Sequence, residues 1–508
     1  MRYCYSSILA LLIGLAATAQ NVGIGIAAPL NRLHVNAPAD PLRLDGLQSG
    51  ASSDSVVTVN ASGVLRKRTI GNFIGGSGWA LTGNTGLSAT TNFLGNSDYV
   101  SLVLRTNNQR SGFIDVDSTK RNNSIGNRAL NTAVTGSGNN AFGSFSLNKV
   151  TTGLNNMALG DSALFNITTG SDNIGIGSGA LYNIITATGN VAIGTGTLKN
   201  SVSSENIAIG NNAATSNNIG SNILAIGAGA LQNNQTTFTQ LAIGNNALKQ
   251  IASGLENVAI GYNTGTNLGT GSYNVLLGHY ALSSASNANQ NTIVGHNSAL
   301  AFTGSGNTNN TFVGFQTAFT QTGGTGNTFI GYAIDVAPAS ASFSNSTGLG
   351  QGVLITASNQ VRVGNTSVNS IGGQVGWTTF SDERIKKDIR QDVHGLDFIM
   401  RLRPVSYYYD YDGLYKLQTG IESKTAALNN PNSGTRFSGF IAQEVEQAAQ
   451  AASYDFSGID KPANANSPYG IRYAEMVVPL VKALQEMKGL LDAQQQEIER
   501  LRKLVEQK

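Results

Sequence analysis

Thiols are nearly missing from this chain. One cysteine, Cys4, stands among 508 residues. It lies inside a stretch that reads as a secretory signal: Met1-Arg2, an apolar run from Ile8 to Leu15, then Ala17-Thr18-Ala19. A mature chain starting near Gln20 has no thiol for a disulfide, a thiolate metal site or a cysteine nucleophile. Cys4 precedes the apolar run rather than following it, which argues against a lipid anchor. No later stretch approaches the ~20 apolar residues of a membrane helix, so no integral membrane segment is expected after signal removal. Charge is also scarce, at 12% of residues, and the net charge of +3 comes without a basic run interleaved with aromatics, so nucleic acid is not an expected partner.

What charge there is sits unevenly. Ten Asp, Glu, Lys or Arg residues lie between Arg121 and Gly350, against 35 between Ser381 and Lys508, so two physically different objects share one chain. With 34 of the chain's 61 glycines, the first of these has the composition of a fibre.

A repeat explains that composition. Glycines at 126, 143, 160, 177, 194, 210, 227, 244, 261, 278, 295, 314, 331 and 350 recur at intervals of mostly seventeen. The preceding residue is apolar in all fourteen copies, from Ile125 to Leu349, which reads as one buried rung position. Asparagine stands four before the glycine in eleven copies, Asn122, Asn139 and Asn173 among them, and Ala-Leu commonly follows, as at Ala180-Leu181. Seventeen residues with two short apolar segments suit one coil of a parallel β-solenoid, because a helix pair needs about twice that length. Stacked at ~4.8 Å per strand, thirteen intervals predict a shaft of roughly 60 Å with asparagine ladders. Each coil has few large side chains for a private core, so three chains are expected to share an axis. The Asn-x-Ala-Ile-Gly pattern from Arg121 to about Gly350 resembles the head repeats of trimeric autotransporter adhesins, which implies surface architecture and names no receptor. His279 and His296 follow the rung glycine in successive coils; without a nearby carboxylate they read as solvent-facing rings, and no metal or cofactor is expected. Before the repeat, Val56 to Val59 and Val64 to Arg68 flank Asn60-Ala61-Ser62-Gly63, a hairpin signature within a small β-rich cap over 20–120.

After Trp377-Thr378-Thr379-Phe380, composition changes abruptly at Ser381-Asp382-Glu383-Arg384-Ile385-Lys386. Four ordered blocks follow: Leu402-Arg403-Pro404-Val405, Gly439-Phe440-Ile441-Ala442-Gln443-Glu444-Val445, Tyr473-Ala474-Glu475, and Pro479-Leu480. Together with the Ser-Asp-x-Arg-x-Lys motif they resemble the intramolecular chaperone domain of endosialidase-type phage tail spikes and tail fibres. The resemblance implies a helical, trimeric chaperone that brings β-rich stalks into register and is then released by a cut before the motif serine, here at the Phe380-Ser381 bond. It carries over Ser381 as nucleophile and Lys386 as general base, with Asp382 and Arg384 in support. One cut per chain is implied, with no turnover on outside substrates.

Read as chemistry, a Ser-Lys pair works only when the lysine is neutral, a state favoured by burial or by cationic neighbours such as Arg384 and Lys387. The same residues also read as an ordinary helix N-cap with an acidic first turn. Five positions on an α-helix put two side chains about 140° apart, so the pair requires either an extended segment or another geometry. Beyond Pro479, Leu484, Met487, Leu491, Gln494, Ile498, Leu501 and Val505 alternate by three and four, a coiled-coil seam over about 477–508.

The expected order is thus signal 1–19, cap 20–120, solenoid 121–350, neck 351–380 and chaperone 381–508, mainly β and then mainly α. The leading reading is an exported homotrimeric stalk with a self-releasing chaperone, whose partner is an unidentified surface glycan or protein receptor. A fibre that keeps its C-terminal module as a permanent clamp is the alternative. A polysaccharide-degrading spike, which needs paired carboxylates on a groove, has only Asp161, Asp172, Glu205, Glu256 and Asp335 to draw on in the repeat.

Overall fold

The computed structural model describes residues 97–507 apart from 236–238 and 305, and before them mainly four strands. Of those four, Val22–Ile24 and Leu33–Val35 pair in parallel, while Ser55–Val59 and Leu65–Thr69 form the antiparallel hairpin expected from the sequence. The signal segment 1–19 lies outside the described residues. Residues 1–95 and 96–508 form separate compact units.

In the second unit, the repeat is a parallel β-solenoid. Its strands, three residues long except for Thr328–Tyr332 and Thr347–Gln351, pair in register with the next coil, from Asn123–Ile125 through to Val361–Val363. The hairpin Leu102–Thr106 and Gln109–Ile114, turning at Asn107 and Asn108 with positive φ, lays its second strand antiparallel on the first rung. It thereby covers the strand edge that would otherwise be open to another chain.

Each rung glycine has a mechanical reason. Gly177 has φ +124°, and a Cβ placed on it would lie 2.5 Å from the carbonyl oxygen of Gly194 in the next coil. Only glycine tolerates both the backbone conformation and that approach. The expected asparagine ladder is present. Asn173 is fully buried; its Nδ2 donates to Asn156 Oδ1 (3.0 Å) and to the Ala187 carbonyl (2.9 Å). Its own Oδ1 accepts from the backbone N–H and the side-chain amide of Asn190 at 3.1 and 3.0 Å. Turns that would otherwise bury orphaned backbone groups are satisfied in this way.

Two expectations are corrected here. The apolar residue before each glycine is not a buried rung position: Ile125, Leu159, Ile330 and Leu349 are 53, 50, 42 and 46% exposed. Side chains alternate along a strand, so in a three-residue rung only the middle one faces inward. Those middle residues are small in most coils, as at Ala158, Ala192 and Ala225, and large near the far end, at Ile293, Phe312 and Phe329. The flanking positions form two outer columns: the second, as at Leu159 and Ile209, is apolar in every coil, and the first, as at Met157 and Ile207, is aliphatic from Met157 to Val275, with Asn before it at Asn123 and Asn140 and Thr after it from Thr292 to Thr347. Nor do the coils lack a private core, because buried Ala, Leu, Ile and Phe side chains form one continuous cluster from Ala129 to Ile355.

Past the shaft the chain becomes mainly helical: α1 (Leu396–Ile399), α2 (Tyr411–Thr419), α3 (Ala442–Ala451) and α4 (Val477–Glu506). Phe398, Val445, Ala448, Ala449, Phe456 and Met476 make its small core. Glu486 of α4 accepts from the Leu396 N–H at 2.7 Å, fixing α1 against α4. Asn430 and Asn432 donate to the Thr366 carbonyl, and Asn464 to that of Thr356, tying the module to the end of the shaft. Beyond Ala483 the long helix is exposed along its length, the seam residues Leu491 (55%), Ile498 (46%) and Val505 (74%) included.

Candidate functional site

The serine and lysine meet. Asp382, in extended backbone, caps a single 3-10 turn, Glu383–Ile385, by accepting the Arg384 N–H at 2.9 Å. Lys386 leaves that turn in extended conformation, with φ −96° and ψ 139°. The chain therefore doubles back in one tight turn, and Lys386 Nζ donates to Ser381 Oγ at 2.8 Å. An N-cap is present, supplied by Asp382, and the spacing of five closes because the turn is 3-10 and only three residues long.

The supporting pair is also formed. Arg384 Nε donates to both Asp382 oxygens at 3.0 and 3.1 Å, and Nη2 to Oδ2 at 2.6 Å. These hydrogen bonds hold the Asp382 carboxyl below its ordinary range and raise the Arg384 guanidinium. The charge of Arg384 is thereby matched by Asp382 and is not left to act on Lys386 alone. Residues 381–390 are exposed throughout, so a single chain does not take the pair out of water.

The approach to the site is exposed and apolar: Val375, Trp377 and Phe380 are 85, 91 and 90% exposed, and Ile385 and Ile389 follow. Sequence reading passed over this run, because a few isolated apolar residues in a polar stretch have no periodicity.

The repeat's carboxylates do not converge on a groove. Asp161 accepts from the Ser144 N–H and Asp172 from the Asn155 amide, each between adjacent coils. Asp335 is tucked under Thr320 and Val336, whose N–H groups it accepts at 2.9 Å each, and burial raises its carboxyl. His279 and His296 are exposed, their ring centroids 6.0 Å apart. Among the described residues no helix is long and apolar enough to cross a membrane.

The family model described as chaperone of endosialidase matches residues 381–454, beginning at the serine that Lys386 contacts. No curated protein and no solved structure matches the chain.

Proposed function

We propose that this is an exported, homotrimeric, tail-fibre-like stalk whose C-terminal module, from Ser381 on, sets three shafts in register and releases itself by cutting Phe380-Ser381. The contact between Lys386 Nζ and Ser381 Oγ, at the first residue of the family match and directly after an exposed linker, carries the reading. With Lys386 neutral, its amine takes the hydroxyl proton and Oγ attacks the Phe380 carbonyl carbon through a five-membered ring. Breaking the peptide C–N bond moves the acyl group to oxygen, and the proton passes to the freed Ser381 nitrogen. Water then opens the ester to a Phe380 carboxylate and a free Ser381.

Trimerisation is supported by the apolar side chains of the shaft's two outer columns and by the uncovered α4 seam, apolar surface that a second and third copy would remove from water. The same packing would bury Lys386 and lower its pKa, so that cutting follows assembly. The complete exposure of Ser381 and Lys386 in a single chain favours the second reading, a permanent clamp, if neighbours leave the site wet.

Intact and native mass of wild type beside Ser381→Ala and Lys386→Ala decide the matter. Wild-type cleavage at this bond with both variants whole and trimeric supports self-release. An uncut wild type leaves the clamp, and cutting in Ser381→Ala removes Ser381 as nucleophile.

A further inference from the structure

We propose that the rings following the rung glycine in five successive coils, Tyr262, His279, His296, Phe315 and Tyr332, form a platform for an extended, uncharged glycan lying along the shaft. The proposal rests on the shaft being a surface fibre and locates where such a fibre takes its ligand.

The column departs from the repeat's own rule. In the first eight coils this position holds Asn127, Ser144, Asp161, Ser178, Thr195, Asn211, Ala228 and Asn245. Several of these stitch coils together: the N–H groups of Ser144, Thr195 and Ala228 donate to the side chains of Asp161, Asn211 and Asn245 at 3.1, 3.2 and 3.0 Å. From Tyr262 on, the chain replaces a side chain that bonds to the neighbouring coil with a ring left in water. All five rings are exposed, Tyr332 by 51%. They pack on one another from coil to coil, His296 on Phe315 and Phe315 on Tyr332 nearly parallel and the pairs before them tilted, and the contiguous exposed aromatic strip they make marks a contact site.

The geometry selects the ligand class. Successive centroids are 6.2, 6.0, 5.5 and 5.6 Å apart, a regular step close to the rise of one sugar in an extended chain. Sugar C–H groups pack on aromatic carbon, and Tyr and His add polar tips for hydroxyls. Asn263, Asn297 and Gln316, each the next residue after a ring, are half-buried and contribute amides, which both donate and accept. Between Asn257 and Ile334 the chain has no Asp, Glu, Lys or Arg, so apart from the two imidazoles of the column no charged side chain there would pair with an acidic sugar, a phosphate or a nucleic acid.

The test uses the full-length protein with cellohexaose and chitohexaose as probes, measured by calorimetry beside their trisaccharides. The variant is Tyr262→Asn/Phe315→Asn/Tyr332→Asn, which restores the residue type of the earlier coils. At least one hexasaccharide should bind more tightly than its trisaccharide, and the variant should lose about tenfold or more in affinity, with native mass and thermal midpoint unchanged. Absence of binding by both hexasaccharides at millimolar concentration, or equal binding by the variant, overturns the proposal. A variant that falls apart into single chains also overturns it, because the rings would then be an interface between copies. Native mass of the unliganded wild type reports the trimer separately, so failure of the stalk reading is seen apart from failure of glycan binding.

Discussion

At the scale of single residues, similar asparagines have unequal weight because burial decides what a hydrogen bond is worth. Asn173 is sealed from water and holds groups from three coils, whereas Asn183 bonds to Asn166 and Asn200 in a half-exposed column. Removing Asn173 strands the Ala187 carbonyl and the Asn190 N–H, each at a cost of about 1–3 kcal/mol. Asn173→Ala should therefore lower the denaturant midpoint clearly and Asn183→Ala much less; equal midpoints for the two would show that the ladder does not stabilise the shaft. Asp382 has a different role. It caps the turn and holds Arg384 without touching the serine, so Asp382→Ala should slow cleavage while Ser381→Ala abolishes it. A time course of intact mass checks this, and cleavage at the wild-type rate in Asp382→Ala would remove Asp382 from the support of the site. The Ser381 and Lys386 pairing came from the family resemblance, since the spacing of five read on an α-helix would have kept the two side chains apart. The manner of closure was not legible, since whether a stretch takes one 3-10 turn or an α-helix depends on a margin that no single side chain announces.

At the scale of elements, shaft and module differ in how they respond to acid. In the module, Arg403 holds the Glu444 carboxyl down, Lys461 and Tyr469 hold down Glu446, and His394 holds down Asp397. A carboxyl depressed in the folded state contributes stability that is present above its unfolded pKa and lost as pH falls through the folded value. In the shaft, burial raises Asp335, so the sign is opposite: its charged form is disfavoured by folding and the penalty is relieved as pH falls through the raised pKa. Between neutrality and about pH 3, below the ordinary carboxylate range, helical signal from the module should melt progressively earlier while the shaft holds. Thermal melts followed at a helix-sensitive wavelength and by exchange protection of the rung amides separate the two, and parallel loss of both would refute the assignment. The solenoid was legible as an element because the seventeen-residue period, the glycines and the asparagines each repeat. The facing of its strands was misjudged because an invariant apolar residue announces burial without saying what buries it. Ile193 reads alike whether covered by its own coil or by another chain; the alternation within three residues, visible only once Ala192 was placed inward, decides it.

At the scale of the whole molecule, the two exposed apolar surfaces have unequal capacity. Burying a Leu or Ile fully is worth about 1.5–3 kcal/mol, and association costs on the order of 4–15 kcal/mol. A seam of a few residues on α4, such as Leu491, Ile498 and Leu501, can exceed that cost only modestly. The shaft columns, one apolar side chain in every coil and a second in the eight coils from Met157 to Val275, hold much more apolar area, but within those eight coils neighbours present the same outer pair, so a slip of one coil there still packs aliphatic on aliphatic. For the proposed trimer a division of labour follows: α4, with Gln494 as the polar position in its seam, would choose three chains in register, and the shaft would then hold them. Two outcomes are expected. Leu491→Asn/Ile498→Asn should lower the yield of trimer on refolding from denaturant several-fold, as read by native mass. A trimeric shaft already freed of its module should remain trimeric on dilution, yet fail to recover after denaturation. Normal trimer yield from the double variant would assign register to the shaft itself, and dissociation of the freed shaft on dilution would mean that its outer columns do not bind copies together.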